Sequence, residues 1–500
     1  MMKTACRSMS FRPSFASKRI RLFATQQDHT SKRVWEVPID GKSQSKRNEI
    51  LYTYTSKPNS NAWNVVPLNE NERRTLSKNA ETFTESIQRN TLQHLLPNGY
   101  PESVHAGYTK YVAYSFVAST ASTATMVLST QTLLLAIGVG TAHAAPIAAT
   151  LNWILKDGIG QFGGILFASK ISTSSNSIDA DPKRWRMVSS FAMDFAMMLE
   201  LATPAFPGYF LLIASVANVG KNIAFLTAGA SRAKLHQCLS RNGKNLGDIT
   251  AKATSQSIVA SLAGTGIGIG LSPYLLGDLY SVGLGCLMLS SIHEICTYQS
   301  LKAVAIDRLN RQRLAILFDL YFQDHGSSEQ NEKLVSPESV CKHESFLPMF
   351  RNDESLQWLH VGCGITTLAP NGPEEFHRLH QGQEKYILNC QINGKERTGV
   401  ALSRVNITFM EGACDDDILK GVFQAHAIKA FANGQIKLDL GKGENEAEMV
   451  VISSYRYTDE HFSEFRSNLS RAGWIMDDGG SIVLESGSHV RFRFDNDIHS

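Results

Sequence analysis

The chain has 500 residues, a formal net charge of +3 and 19% charged residues. That net charge is too small to argue for a nucleic-acid partner, and none is expected; it gives no acidic bias either. The eight cysteines are scattered, with no CxxC pair, so neither zinc spacing nor a disulfide framework is indicated and the thiols read as reduced.

The mean hydropathy of -0.15 averages unlike parts. Residues 1–27 carry Lys3, Arg7, Arg12, Lys18, Arg19 and Arg21, several serines and no acid. That is the composition of an organellar transit peptide, with no continuous apolar core for secretion. Arg21-Leu-Phe-Ala-Thr25 resembles a mitochondrial cleavage context, so mitochondrion is placed before plastid. Residues 28–95 form a polar N-terminal segment, in which Val34–Val37 and Ile50–Tyr54 read as short strands and 69–95 as a helix. Pro97, Gly99 and Pro101 then break the chain in Leu96–Val104.

Residues 96–323 read as a helical membrane domain. No Asp, Glu, Lys or Arg occurs in Tyr111–Leu155, Ala253–Gly277 or Leu279–His293. Such runs match the ~20 residues that cross a bilayer. Five or six apolar segments are legible, among them 111–140, 144–168, 208–230 and the block 255–297, itself split near Pro273 and Asp278, and four of the segments read as full spans. Met187–Leu201 is a further apolar stretch. Ser169–Arg186 and Ser231–Lys252 read as polar loops, and Leu301–Gln323 as a helix leaving the membrane. A linker, 324–344, leads to a soluble α/β (α+β) domain, 345–500. There, Lys395–Met410 reads as a strand after a turn at Asn393-Gly394, and Gln435–Leu440 as another. Asp415–Ala432 reads as a helix capped by Asp416, Met449–Tyr457 as a strand, Asp459–Ala472 as a helix, and Ser481–Phe494 as a closing strand pair. The fold class is therefore mainly α: a multi-span helical domain followed by a small α/β domain.

The candidate site lies where charge enters the apolar region. On a helix, Asn152, Trp153, Lys156, Asp157 and Gly160 share one stripe at spacings of three and four. Such a face suits a small anion, with Lys for charge, Trp for stacking and Gly for close approach. It equally suits a structural pair that ties two helices together. Asp194 is a carboxylate among apolar residues, with Lys156 or Lys221 as the expected counter-charge, and an intramembrane charge is a functional candidate by default. Gly264–Gly270 offers Gly-x-Gly, but no strand precedes it and no Lys follows. Its small-xxx-small spacing reads as helix packing instead. No metal-ligand or catalytic set is legible, and no enzyme is expected.

Several stretches resemble the root UVB sensitive family: Leu96–Val104, Thr130–Leu134, Ala148–Gly160, Gly229–Ala233 and Asp248–Gln256, with Asp415–Ala425 and Ala472-Gly-Trp474 in the tail. The resemblance runs from about residue 90 to the end. It implies an organellar protein concerned with vitamin B6 homeostasis, acting with a related family member as a homo- or hetero-oligomer. It supplies no catalytic residues. Pyridoxal phosphate, a flat anion, is the ligand it suggests, and transport or homeostasis of a small anionic metabolite is the function expected. A membrane adaptor without transport is the alternative.

Overall fold

The computed structural model describes residues 19–22, 31–37, 50–55, 63–65, 95–136, 146–173, 175–241, 245–324, 335–347, 358–380, 384–396, 399–439, 446–476, 482–483 and 491–492. Two compact units divide the chain after Thr91. In the first, β1 (Arg19–Leu22), β2 (Ser31–Val37), β3 (Ile50–Thr55) and β4 (Trp63–Val65) pair in order as an antiparallel meander. Both expected strands are present. β1 lies within the basic segment 1–27, and the helix read over 69–95 lies outside the described residues but for Leu95.

The second unit opens on the Leu96–Val104 turn. Gly99 adopts a φ of 74°, where only glycine is unstrained. The Asn98 backbone N–H donates to Asp248 Oδ2 at 2.6 Å, and Asn245 Nδ2 donates to the Ser103 carbonyl at 2.7 Å. The turn is thereby stapled to the start of a helix far along the chain.

Among the described residues six long helices follow: α1 (Tyr108–Ala136), α2 (Pro146–Thr173), α4 (Pro182–Ala202), α5 (Phe210–Leu239), α6 (Leu246–Leu275) and α7 (Leu279–Lys302), with a short α3 (Ser175–Ala180) before α4. α1 packs against α4, α6 and α7. α4 packs against α5 and α7, and α2 lies at the edge against α5. Four of the six, α1, α5 with its preceding turn, α6 and α7, are long and apolar enough to cross a membrane. The split between α6 and α7 falls at Gly277-Asp278 as expected, where the Asp278 carboxylate accepts from the Ser281 N–H at 3.2 Å and caps α7.

Two segments read as loops are helical. Most of Ser169–Arg186 belongs to α2, α3 and the start of α4, and most of Ser231–Lys252 is the end of α5 and the start of α6, on either side of a short connection that includes Ser240, Arg241 and Asn245, with 242–244 undescribed. Charge density misled there, because Lys and Arg are good helix formers and their charges find partners or solvent.

The glycine stripe of α6 packs as its spacing requires. A Cβ on Gly264 would lie 2.4 Å from the Thr120 carbonyl oxygen of α1, and one on Gly268 2.8 Å from Val127 Cβ. Gly266 and Gly270 face open space.

The expected exit helix, 301–323, is two pieces. α7 ends at Lys302, and after β5 (Leu309–Asn310) comes α8 (Arg311–Asp324). α8 belongs to the C-terminal core: Leu314, Leu317, Phe318 and Phe322 are buried with Phe423 and Phe465. α9 (Pro337–His343) occupies part of the expected linker. Beyond it, β6 (Leu359–Val361), β8 (Gly399–Phe409) and β7 (Tyr386–Glu396) form a sheet in that order, with β6 parallel and β7 antiparallel to β8. The short helices α10 (Ile365–Leu368) and α11 (Pro373–Leu379) connect β6 to β7. α12 (Asp415–Ala432) and α13 (Glu446–Ala472) pack on the sheet.

Several expectations are corrected here. The expected turn at Asn393-Gly394 is absent, for both residues lie inside β7, which runs to Glu396 before β8 begins at Gly399. α12 has the expected bounds, but Cys414 is its N-cap: its backbone N–H donates to Asp417 Oδ2 at 2.8 Å, while Asp416 accepts from Arg466. Met449–Tyr457 is helical, and the described part of 435–440 forms no strand. Of the closing pair, β9 (Ile482–Val483) pairs in parallel with β5, and Phe492 bridges Met410.

A buried ion triad joins the helical bundle to the C-terminal region. Glu344 accepts from Arg313 Nε at 2.5 Å and from Lys183 Nζ, and Lys183 also reaches Cys341 Sγ at 3.2 Å.

Candidate functional site

The predicted stripe on α2 faces α5. Lys156 Nζ lies 2.5 Å from Asp157 Oδ1 and 4.3 Å from the Trp153 ring centroid. Asn218 Nδ2 donates to the Lys156 carbonyl at 3.2 Å and to Asp157 Oδ1 at 3.1 Å. A Cβ on Gly160 would meet the same Asn218 amide at 2.3 Å. The cation–π contact, the ion pair and the close backbone approach are all present, but a neighbouring helix occupies the face. Asn152 is half-buried beside them.

The other two predicted charges take partners different from those expected. Lys221 Nζ is 2.5 Å from Glu200 Oε2, which also accepts from Ser129 at 3.0 Å. Asp194 Oδ1 is 2.9 Å from His293 Nδ1. Neither Lys156 nor Lys221 serves Asp194. Three separate polar contacts therefore cross the bundle: α2 to α5, α5 to α4 and α1, and α4 to α7. A buried charge that has lost water must be paired, and each of these is.

The polar space in the bundle lies elsewhere. A cleft among α1, α4, α5, α6 and α7 is lined by Tyr111, Ser115, Arg186, Arg232, His236 and Ser257, among others. It encloses about 50 Å³, against about 10–15 Å³ for one water on the same measure. That is room for a phosphate-sized group. Arg186 Nη1 donates to Ser189 Oγ at 3.1 Å. Among the described residues, neither Arg186 nor Arg232 meets a carboxylate within ion-pair distance. Tyr111 lies edge-on to the His236 ring, centroids 6.3 Å apart.

Two guanidiniums beside one polar cleft, with hydroxyls around them and only the longer-range charge of Glu294 acting on Arg186, form an anion-binding arrangement. Sequence reading missed both arginines because they fell in stretches taken for loops. The signal that could have found them was present: Arg232 lies in Gly229–Ala233, and Gln256 and Ala253 of the same cleft lie in Asp248–Gln256. Both stretches carried the family resemblance.

Comparison with known proteins agrees with that resemblance. Residues 81–325 match the model of a vitamin B6 photo-protection and homoeostasis domain, and residues 333–479 match that of the root UVB sensitive protein C-terminal region. The chain is 28% identical to protein root UVB sensitive 3 of Arabidopsis thaliana over 410 residues, covering 80% of this chain and 86% of the relative. It is 28% identical to protein root UVB sensitive 2, chloroplastic, of the same plant, covering 80% and 84%. RUS family member 1 of Dictyostelium discoideum is 29% identical over 319 residues, covering 62% and 56%. No solved structure matches the chain. With two adjoining family models spanning most of its length and relatives aligned along four-fifths of it, the chain belongs to the root UVB sensitive family.

Proposed function

We propose that this protein is an organellar membrane protein that binds and transfers, or buffers, a small phosphate-bearing B6 vitamer at the Arg186–Arg232 cleft. The observation that carries the reading is the pair of guanidiniums beside one polar cleft with no carboxylate at ion-pair distance among the described residues. An apolar outer surface supports the membrane placement: Ile165, Phe195, Leu262 and Ile295 are each more than 60% exposed. An aqueous surface rarely carries apolar exposure on that scale. The chloroplastic relative supports an organelle. Pyridoxal 5′-phosphate supplies the dianion, and the role requires no covalent step.

The test uses the full chain in liposomes. Pyridoxal 5′-phosphate should be retained or moved, pyridoxal without phosphate should not, and inorganic phosphate should compete. Arg232→Gln should weaken retention at least tenfold, since a charged hydrogen bond contributes about 1.5–3 kcal/mol. Wild-type protein that handles no vitamer, or an Arg232→Gln variant that handles it equally well, sinks the proposal.

The adaptor reading draws on α2. This edge helix packs on α5, and its other side exposes Ile154, Phe162 and Ile165. That is a surface for a related chain within the membrane. Under this reading, swapping Lys156 and Asp157 leaves biological activity intact, and so does Arg232→Gln, whereas polar residues at Phe162 and Ile165 abolish it.

A further inference from the structure

Asp194 lies midway along α4, facing His293 and Glu294 of α7. One ligand atom from each lies within 4.8 Å of the others. His293 Nδ1 and Asp194 Oδ1 are 2.9 Å apart, and Ser190 Oγ donates to Glu294 Oε2 at 2.8 Å. The other oxygen of each acid is buried with no hydrogen-bond partner: Asp194 Oδ2 and Glu294 Oε1. The Ser290 and Thr297 hydroxyls are unpartnered too. Ser290, His293, Glu294 and Thr297 recur at spacings of three and four and so share one face of α7. Unmet polar atoms thus gather where α7 faces α4, and a buried polar atom left without a partner is destabilising.

The neighbouring cations do not supply what is missing. Lys221 is committed to Glu200, and Lys156 to Asp157. Arg186 acts on Glu294 electrostatically but makes no ion pair with it. One imidazole and two carboxylates carry up to two negative charges, which a single divalent ion balances.

We propose that Asp194, His293 and Glu294 hold a divalent transition-metal ion of the zinc or manganese class. Donor atoms each about 2.0–2.2 Å from a tetrahedral ion lie about 3.4 Å apart, so His293 Nδ1 and Asp194 Oδ1, hydrogen-bonded at 2.9 Å, accept one after a separation of only about half an ångström. The imidazole selects against magnesium and calcium, which take oxygen ligands. Three protein ligands leave a coordination position open, within reach of the Ser290 and Thr297 face. Sequence spacing alone does not reveal the set, because its members come from two helices separated by a hundred residues of chain order (Asp194 and His293–Glu294).

The experiment uses the full chain purified in detergent, stripped with chelator and dialysed against Zn²⁺ or Mn²⁺ with no phosphate or vitamer present. Its outcome is therefore independent of the anion cleft. Metal analysis should find about one ion per chain, and X-ray absorption should show one imidazole among oxygen ligands. Asp194→Asn and His293→Gln should lower affinity at least tenfold, and Glu200→Gln, in a separate buried pair, should leave it unchanged. Should either ligand variant fail to fold, Glu294→Gln serves with a second readout: the metal-dependent rise in melting temperature seen in wild type is lost. Wild type that binds no ion, binds calcium as well as zinc, or binds no better than the variants overturns the proposal.

Discussion

The two halves of the second unit are built inside out relative to each other. In the helical half, Lys156, Asp194, Glu200, Lys221 and His293 are buried, while Ile165, Phe195 and Leu262 face outward. In the C-terminal half, Phe318, Val405, Ile407 and Phe423 are buried, and Ile365 is the one large apolar side chain exposed among the described residues. Many of its buried polar groups are bonded within the core: Gln424 accepts from Tyr386 and donates to Ser454, Thr408 donates to the Cys363 carbonyl, and the buried charges Arg313 and Glu344 pair with each other. Water outside explains the second pattern. The first follows if hydrocarbon lies outside, because charge then has nowhere favourable to go but inward. One chain thus carries two arrangements suited to two solvents.

The largest effect should come from breaking the junction between them. Glu344→Ala leaves Lys183 and Arg313 buried without a counter-charge and should cost about 3–5 kcal/mol. Thermal unfolding of the full chain checks this, and a change within error of wild type would show that the triad does not hold the halves together. Burial pushes the Glu344 carboxyl up, but the Arg313 and Lys183 charges override it and hold it below the usual carboxylate range. Its stabilising contribution is present above the normal carboxylate pKa and is lost only as pH falls through the lowered one.

A smaller effect separates the two surfaces. Leu262→Asp on α6 should cost about 2.5–3.5 kcal/mol of membrane insertion and reduce retention in carbonate-washed membranes. Ile365→Asp, on the water-facing half, should change neither retention nor melting temperature. Equal behaviour of the two would erase the distinction drawn here.

The smallest effect is a pH dependence confined to the C-terminal half. His426 is buried, stacked on Phe318 at 4.5 Å and edge-on to Trp358 at 4.9 Å. Burial, and then the Lys429 charge, pull its pKa well below the ordinary histidine value of 6.5. Below that pH the unfolded state binds the proton and the folded state does not. Stability is therefore full above about 6.5 and falls by up to about 1.4 kcal/mol per pH unit beneath it. His426→Gln should flatten that slope in denaturant titrations between pH 6.5 and 5.

Much of the local structure was legible. The bounds of Asp415–Ala432, the break at Gly277-Asp278 and the packing of Gly264 and Gly268 follow from caps, helix propensity and the spacing of small residues. Met449–Tyr457 was not legible. Its Val-Val-Ile run favours strand, but Val450, Val451, Phe465 and Leu469 all reach the core from one helix, and that shared burial outweighs a propensity difference of about 1 kcal/mol. Helical spacing was enough to set the α2 residues on one face, where Lys156 contacts both Trp153 and Asp157. That Asn218 of α5 covers it was beyond any reading of α2 alone. Arg186 and Arg232 were hidden by their surroundings: a charge in a polar stretch looks solvated until packing turns it toward a cleft.

The order of residues alone determined the family, the positions of the apolar segments and which charges are too deep in them to remain solvated. Only the tertiary structure decided the partners: Lys221 with Glu200, Asp194 with His293, and two arginines with neither acid. The reason is geometric. Spacing of three and four residues fixes neighbours within one helix, whereas a buried charge is satisfied by whatever the adjoining helix presents. That depends on which faces pack together, a choice made by the whole bundle at once.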